Sequence, residues 1–185
     1  MSETREAGEG REMLVLVVGP SGAGKDSLMN GAKAALRGDP RIVFARRAIT
    51  RPPDPDGEDH ESVSTAEFAT RDFALSWSAH GLSYGIPAAI VTAAPVVVAN
   101  VSRGAIAEAA VRYPVLVLEV TAPPAVLAAR LAARGRETAD DVARRLRRTA
   151  SIPAGVAVET IVNDGSLAQG VARFVAALER AAGGG

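Results

Sequence analysis

The chain has 185 residues and no cysteine, so its length suits one domain, and its composition excludes a disulfide scaffold, a cysteine nucleophile and a thiolate metal site. Its 21 basic and 21 acidic residues cancel, which leaves no bulk positive field to attract nucleic acid. No apolar stretch reaches the roughly 18 residues that a membrane helix needs, and residues 1–12 are charged where a signal peptide would be apolar. We therefore expect a cytoplasmic protein that binds neither nucleic acid nor membrane. The composition leaves the oligomeric state open, a homodimer included.

Short apolar runs alternate with helix-length segments along most of the chain. Residues 1–11 are polar, and we expect them to be a disordered lead. The uninterrupted apolar run Met13–Val18 predicts a strand buried on both faces. Four further runs predict strands at 41–45, 96–99, 115–120 and 158–162. Helices are expected at 25–36, near 102–111, near 124–134 and over 167–181. This alternation predicts an α/β fold in which helices cover both faces of a parallel sheet of about five strands.

Residues 47–85 interrupt the alternation of strands and helices. The stretch opens with prolines and acidic residues and contains most of the aromatic side chains, namely Phe68, Phe73, Trp77 and Tyr84. We predict a small subdomain here, inserted between the second and third strands. Residues 12–182 are then a single domain that carries this insert.

A glycine-rich turn, GPSGAGKDS over residues 19–27, follows the first strand directly. Two glycines five positions apart, the second followed by lysine, are typical of a phosphate-binding loop between a strand and a helix. Small residues let consecutive backbone N–H groups face one phosphate, and Lys25 adds a positive charge over the β- and γ-phosphates. With 18 glycines and two lysines in the chain, chance supplies this pattern only about 0.02 times.

The sequence therefore predicts the three-layer fold of P-loop kinases. The nucleotide-binding residues are Gly19, Pro20, Ser21, Gly22, Ala23, Gly24, Lys25, Asp26 and Ser27. We call this segment the phosphate loop.

One position of the phosphate loop differs from the usual motif, in which serine or threonine follows the lysine and binds Mg²⁺. Here the residue is Asp26, whose carboxylate is also a hard oxygen ligand suited to Mg²⁺. Ser27 is an alternative hydroxyl ligand, one residue further around the helix. Asp26 and Ser27 are therefore the candidate magnesium ligands.

Motifs outside the phosphate loop resemble those of ribose 1,5-bisphosphate phosphokinases, which are relatives of guanylate kinase. The matching segments are residues 19–28 (GPSGAGKDSL), 49–52 (ITRP), 57–60 (GEDH), 77–87 (WSAHGLSYGIP), 100–103 (NVSR) and 134–137 (RGRE). The resemblance to guanylate kinase itself is incomplete, because its second phosphate-clamping arginine falls on Asp54 here. The closer resemblance covers about residues 13–180 and makes Asp26 a family feature. It implies phosphoryl transfer from ATP, with Mg²⁺, to the small molecule ribose 1,5-bisphosphate, giving 5-phospho-α-D-ribose 1-diphosphate in phosphonate breakdown.

The resemblance also implies an acceptor site. Its residues would be Arg51, Glu58, His60, Tyr84, Asn100, Ser102 and Arg103. Simpler interpretations stay open for several of them: a solvated loop histidine for His60, a core aromatic for Tyr84 and a helix cap for Ser102. The acceptor atom is an ionised phosphate oxygen, so no general base is needed, and cations and alignment carry the catalysis.

Arginines between residues 130 and 148 predict a lid. The segment 134–141 lies between two expected helices, and arginine suits a lid over a triphosphate because its planar guanidinium binds phosphate through two hydrogen bonds. The proposed catalytic cations are Lys25, Arg134, Arg136 and Arg145. Arg130 and Asn163 are expected beside the nucleotide, although Asn163 suits a plain turn equally well.

The sequence is compatible with two alternative functions. One is guanylate kinase or another small-molecule kinase with a P-loop. The other is a non-catalytic, guanylate-kinase-like binding module, a class that usually lacks the phosphate loop found here.

Overall fold

The computed structural model describes residues 12–53, 59–133 and 151–183. The strands in this part of the chain are β1 (Met13–Val18), β2 (Ile42–Phe44), β3 (Ala48–Ile49), β4 (Glu61–Ser62), β5 (Phe73–Ala79), β6 (Leu82–Pro87), β7 (Val96–Asn100), β8 (Val115–Thr121) and β9 (Ala157–Val162). The α-helices are α1 (Lys25–Ala35), α2 (Thr65–Thr70), α3 (Ile106–Arg112), α4 (Pro124–Ala133) and α5 (Leu167–Ala181). Among the described residues, no helix combines the length and apolarity that crossing a bilayer requires.

Five strands form a parallel sheet in the order β2-β7-β1-β8-β9, which confirms the predicted fold class. The central strand β1 pairs with β7 on one side and with β8 on the other. In this register Val17 lies beside Asn100, and Val18 lies beside Glu119. The end of β1, where the phosphate loop begins, therefore shares one sheet edge with the ends of β7 and β8.

Successive residues of β1 enter opposite halves of the core. Val15 and Val17 belong to a buried cluster that includes Phe174 of α5, whereas Leu16 belongs to a cluster that includes Ile106 of α3. Side chains alternate along a strand, so a strand covered on both faces must be apolar throughout. This explains why β1 has an uninterrupted apolar sequence.

Most predicted elements differ from the observed ones by one residue at one end, and two elements differ at both ends. The strand expected at 41–45 covers only Ile42–Phe44. The helix expected near 102–111 begins with a 3₁₀ turn at Arg103–Ala105, and α-helical geometry starts only at Ile106. Ser102 occupies the N-cap position of that turn, but its side chain caps no backbone group of the described chain, so the cap interpretation is also wrong.

A second sheet, in the order β4-β3-β6-β5, lies in the stretch where the sequence predicts an insert. Strands β5 and β6 form an antiparallel hairpin. Its two turn residues, His80 and Gly81, both have positive φ, at 53° and 75°. Positive φ at both positions matches the right-handed twist of a hairpin. Leu75 and Ile86 of this sheet are buried in the same core cluster as Leu16, so the insert packs directly onto the main sheet.

Candidate active site

The phosphate loop leaves β1 and ends in the first turn of α1. Gly24 has a φ of 88°, in the left-handed region that glycine tolerates best. A Cβ atom there would lie 2.5 Å from Asn163 Nδ2, and one at Gly19 would overlap the carbonyl oxygen of Val120 in β8. Both motif glycines are therefore required by close packing around the loop.

The start of α1 and Lys25 bring hydrogen-bond donors to the phosphate loop. Gly24 is the N-cap of α1, and no side chain in the described part of the chain caps this helix. The amide of Leu28 donates to Gly24 O at 3.0 Å, and the amides before it are those of a helix first turn, which lack intrahelical acceptors. Lys25 Nζ donates to Gly19 O at 2.9 Å, which holds the ammonium group beside the loop. Together these donors form a cradle suited to polyphosphate.

Two side chains donate hydrogen bonds to backbone carbonyl oxygens of the phosphate loop. Asn163, which is only 5% exposed, donates from Nδ2 to Ala23 O at 2.8 Å. Arg130 donates to Gly22 O and Ala23 O at 3.3 and 3.4 Å, and to Asn163 O at 3.1 Å. These hydrogen bonds fix the peptide groups at Gly22 and Ala23. Arg130 and Asn163, both expected beside the nucleotide, thus lie against the loop that would bind its phosphates.

The candidate magnesium ligands lie at the start of α1. Asp26 and Ser27 are both exposed, and Asn100 Nδ2 donates to Asp26 Oδ1 at 3.4 Å. Oxygen donors of this kind fit Mg²⁺. The described residues hold no cluster of three or more acidic or histidine ligands. A magnesium ion here would therefore take most of its ligands from phosphates and water, as Mg²⁺ commonly does.

Arg103 lies just beyond β7, and its Nη2 forms an ion pair with Glu119 Oε1 of β8. Its Nε is buried with no hydrogen-bond partner in the described part of the structure. Glu119 was not predicted from the sequence. The available signal was a single carboxylate inside the apolar run of a strand that is otherwise buried on both faces.

The insert carries an open cleft of about 500 Å³. Its lining residues are Thr50, Arg51, Pro52, Ser62, Val63, Ser64 and Thr65. His60 is 7% exposed, so its interpretation as a solvated loop histidine is wrong. Its Nδ1 lies 3.3 Å from Arg51 Nη2, and its Nε2 lies 3.2 Å from Ser62 Oγ. Arg51 Nε is buried and has no hydrogen-bond partner among the described residues.

Tyr84 packs as an aromatic of the insert core, as its simpler interpretation expects. Its ring stacks on Trp77 at a centroid distance of 5.6 Å and an interplanar angle of 6°. The guanidinium of Arg47, which is buried, lies 5.3 Å from the Tyr84 centroid and 6.0 Å from that of Trp77. Arg47 could not be predicted from the sequence, because only the folded hairpin brings the two rings to it.

Four predicted site residues lie outside the described residues: Glu58, Arg134, Arg136 and Arg145. So does the predicted lid at 134–141. The structure groups the other candidates in two places. At the carboxyl edge of the main sheet lie the phosphate loop, Arg130, Asn163, Asn100, Ser102 and Arg103. In the insert lie Arg51, His60 and Tyr84.

The chain is similar to a family model and to several named proteins. A family model described as AAA domain matches residues 14–153. A ribose 1,5-bisphosphate phosphokinase of Acidiphilium cryptum is 62% identical over 141 residues, which are 75% of this chain and 77% of that protein. The protein of the same name from Methylobacterium radiotolerans is 50% identical over 173 residues, 89% of this chain and 96% of that one. A bifunctional ribose 1,5-bisphosphokinase-thymidine phosphorylase of Cupriavidus pinatubonensis is 54% identical over 92% of this chain, which spans only 30% of that protein.

Among solved structures, a guanylate kinase from Anaplasma phagocytophilum superposes with a TM-score of 0.64 at 14% identity, covering 92% of this chain and 86% of that one. This likeness establishes the guanylate-kinase fold and nothing about the acceptor. The sequence identities, in contrast, confirm the resemblance that the motifs suggest and favour a kinase over a non-catalytic module. The chain belongs to the AAA domain family and to the ribose 1,5-bisphosphate phosphokinases.

Proposed function

We propose that this protein transfers the γ-phosphoryl group of ATP to ribose 1,5-bisphosphate, giving ADP and 5-phospho-α-D-ribose 1-diphosphate. The observation that carries the donor half of the proposal is the cradle formed by the phosphate loop, the uncapped start of α1 and Lys25. The acceptor half depends on the names of relatives that are 50% and 62% identical. An enzyme that consumes ATP draws on the cytoplasmic nucleotide pool, and phosphonate breakdown is the process that fits this conversion.

The proposed step is an in-line displacement at the γ-phosphorus. An oxygen of the acceptor's 1-phosphate attacks, the bond from the γ-phosphorus to the β,γ-bridging oxygen breaks, and ADP leaves with that oxygen. The attacking oxygen is already ionised at neutral pH, so no side chain has to remove a proton. Catalysis then depends on alignment of the two substrates and on neutralisation of their charge.

The chain supplies cations and dipoles at both ends of this reaction. Loop amides and Lys25 suit the β- and γ-phosphates, and Asp26 with Ser27 would hold Mg²⁺, which when bound neutralises phosphate charge. On the acceptor side we assign Arg51 in the insert cleft and Arg103 beside Asn100, because each arginine keeps a buried Nε without a partner among the described residues. The remaining proposed contacts are Glu58, Tyr84 and Ser102 for the acceptor and Arg134, Arg136 and Arg145 for the lid.

The acceptor is tested by measuring ADP release from Mg²⁺-ATP with ribose 1,5-bisphosphate, GMP or no acceptor. We expect turnover with ribose 1,5-bisphosphate well above both other reactions. GMP turnover above that of the ribose bisphosphate would reject the acceptor assignment.

The donor site is tested by Lys25→Ala, which should abolish turnover while leaving the thermal unfolding midpoint nearly unchanged. Lys33→Ala is the matched control, because Lys33 is the other lysine of the chain, lies on the same helix and is 57% exposed in a surface ion pair. It should keep full activity. Unchanged turnover in Lys25→Ala would remove the phosphate loop from the mechanism.

A further inference from the structure

His60 and Arg51 come together through the short parallel pairing of β3 with β4. In this pairing Ala48 lies beside Glu61, and the Glu61 amide donates to Arg47 O at 2.8 Å. His60 immediately precedes β4, and Arg51 follows two residues after β3. A side chain also fixes the backbone at His60, since Arg46 Nη2 donates a hydrogen bond to His60 O at 3.0 Å. The imidazole therefore occupies a defined place beside the guanidinium.

The hydrogen bonds at His60 determine its tautomer. Arg51 Nη2, 3.3 Å away, can only donate, so Nδ1 must accept and cannot carry a hydrogen. A neutral ring then carries its hydrogen on Nε2, which donates to Ser62 Oγ at 3.2 Å. With both nitrogens engaged and the residue 7% exposed, the ring is arranged to hold a neighbouring side chain. This differs from the expectation that His60 contacts the substrate itself.

Arg51 retains donor capacity on the side away from His60. Its Nε is buried with no hydrogen-bond partner in the described ranges, and its side chain lines the open cleft of about 500 Å³. A buried donor without a partner destabilises the protein unless a ligand accepts from it. A phosphate oxygen is a suitable acceptor, because guanidinium binds phosphate through charge-assisted hydrogen bonds.

We infer that His60 is a positioning residue, whose neutral imidazole holds the Arg51 guanidinium so that its remaining N–H groups face a phosphate of the acceptor in the insert cleft. The inference rests on the proposed function, since it assigns the side chain that orients the acceptor contact of that same site. It predicts that His60 acts on the acceptor only through Arg51.

The test is a double-mutant cycle with steady-state kinetics, varying ribose 1,5-bisphosphate and ATP separately. His60→Leu should raise the KM for ribose 1,5-bisphosphate about tenfold and leave the KM for ATP unchanged. Arg51→Ala should raise the acceptor KM by at least as much. Adding His60→Leu to Arg51→Ala should raise it no further, because His60 then has no guanidinium to hold. Effects that multiply would overturn the inference and indicate direct contact between His60 and the substrate. An unchanged acceptor KM in His60→Leu would also overturn it.

Conservative variants test the geometry, and they remain decisive if His60→Leu does not fold. The amide oxygen of His60→Asn can accept near the position of Nδ1, whereas the amide of His60→Gln reaches the position of Nε2. We expect the KM of His60→Asn for ribose 1,5-bisphosphate to stay within about threefold of the natural protein's value. The same KM should rise about tenfold in His60→Gln. Equal effects of the two would contradict the inference.

The matched control is His80→Asn. His80 is the chain's other histidine, lies exposed at the tip of the β5–β6 hairpin, and has a φ of 53° that asparagine also tolerates. It should leave both KM values unchanged. If the natural protein itself does not phosphorylate ribose 1,5-bisphosphate, the proposed function fails, and this outcome is distinct from a failure of the His60 cycle.

Discussion

Asn163 offers the sharpest test of how the phosphate loop is held. In Asn163→Ala, the carbonyl of the buried residue Ala23 loses its donor at 2.8 Å, and among the described side chains it keeps Arg130, at 3.4 Å. Leaving a buried acceptor poorly satisfied costs about 1–3 kcal/mol. With a central figure of about 2 kcal/mol and about 2–4 °C per kcal/mol for a domain of this size, the unfolding midpoint should fall by about 4–8 °C. If half of that free energy is lost from the loop geometry that binds phosphate, the Kd for ATP should rise about fivefold.

The assay pairs thermal unfolding with calorimetric titration of two ligands, Mg²⁺-ATP and inorganic tripolyphosphate. Because Asn163 contacts the loop, Asn163→Ala should weaken both ligands by the same factor. Asn163→Asp keeps the side-chain shape but sets a carboxylate against the Ala23 carbonyl, so it should destabilise the protein more than alanine does. If Asn163→Ala has the same unfolding midpoint and the same ATP affinity as the natural protein, Asn163 does not hold the phosphate loop. A loss confined to ATP would show instead that Asn163 acts on the adenosine.

Two further substitutions test charges at the carboxyl edge of the sheet. Asp26→Asn removes a negative charge beside the bound phosphates, so in EDTA this variant should bind ATP more tightly than the natural protein does. The Mg²⁺ concentration needed for half-maximal activity should rise severalfold. Calorimetry measures the ATP affinity and a magnesium titration measures the activity, and unchanged values in both would exclude Asp26 from the metal site. Glu119→Gln removes the charged partner of Arg103. Because the pair is partly exposed, the free energy of unfolding measured in urea should fall by about 1 kcal/mol. An unchanged free energy of unfolding would show that the pair adds no stability.

The main sheet and the phosphate loop could be predicted because their signals are local. Met13–Val18 is apolar at every position because it is covered on both faces, and the turn after it needs small residues and one lysine at fixed spacing. The helix at Leu167–Ala181 was predicted with its observed bounds, and its start carries a capping box between Ser166 and Gln169. Each of these features is set by neighbours in the sequence.

The contacts that organise the candidate site could not be predicted, since they depend on distant pairing. Strands β3 and β4 are two residues each, too short to show a periodic pattern, yet their pairing brings His60 to Arg51. The hairpin that stacks Trp77 on Tyr84 turns at His80-Gly81 and lacks the Asn-Gly or Asp-Gly signal typical of such turns. Similarly, the contact of Asn163 with the phosphate loop joins residues 140 positions apart in the chain.

The identity of the product tests the proposed function most directly. A ³¹P NMR time course of the purified protein with Mg²⁺-ATP and ribose 1,5-bisphosphate follows every phosphorus atom of both substrates at once. We predict loss of the ATP signals and of the 1-phosphate signal, growth of ADP and of two mutually coupled diphosphate signals, and an unchanged 5-phosphate. Growth of inorganic phosphate alone, or extension of the 5-phosphate in place of the 1-phosphate, would contradict the proposed reaction.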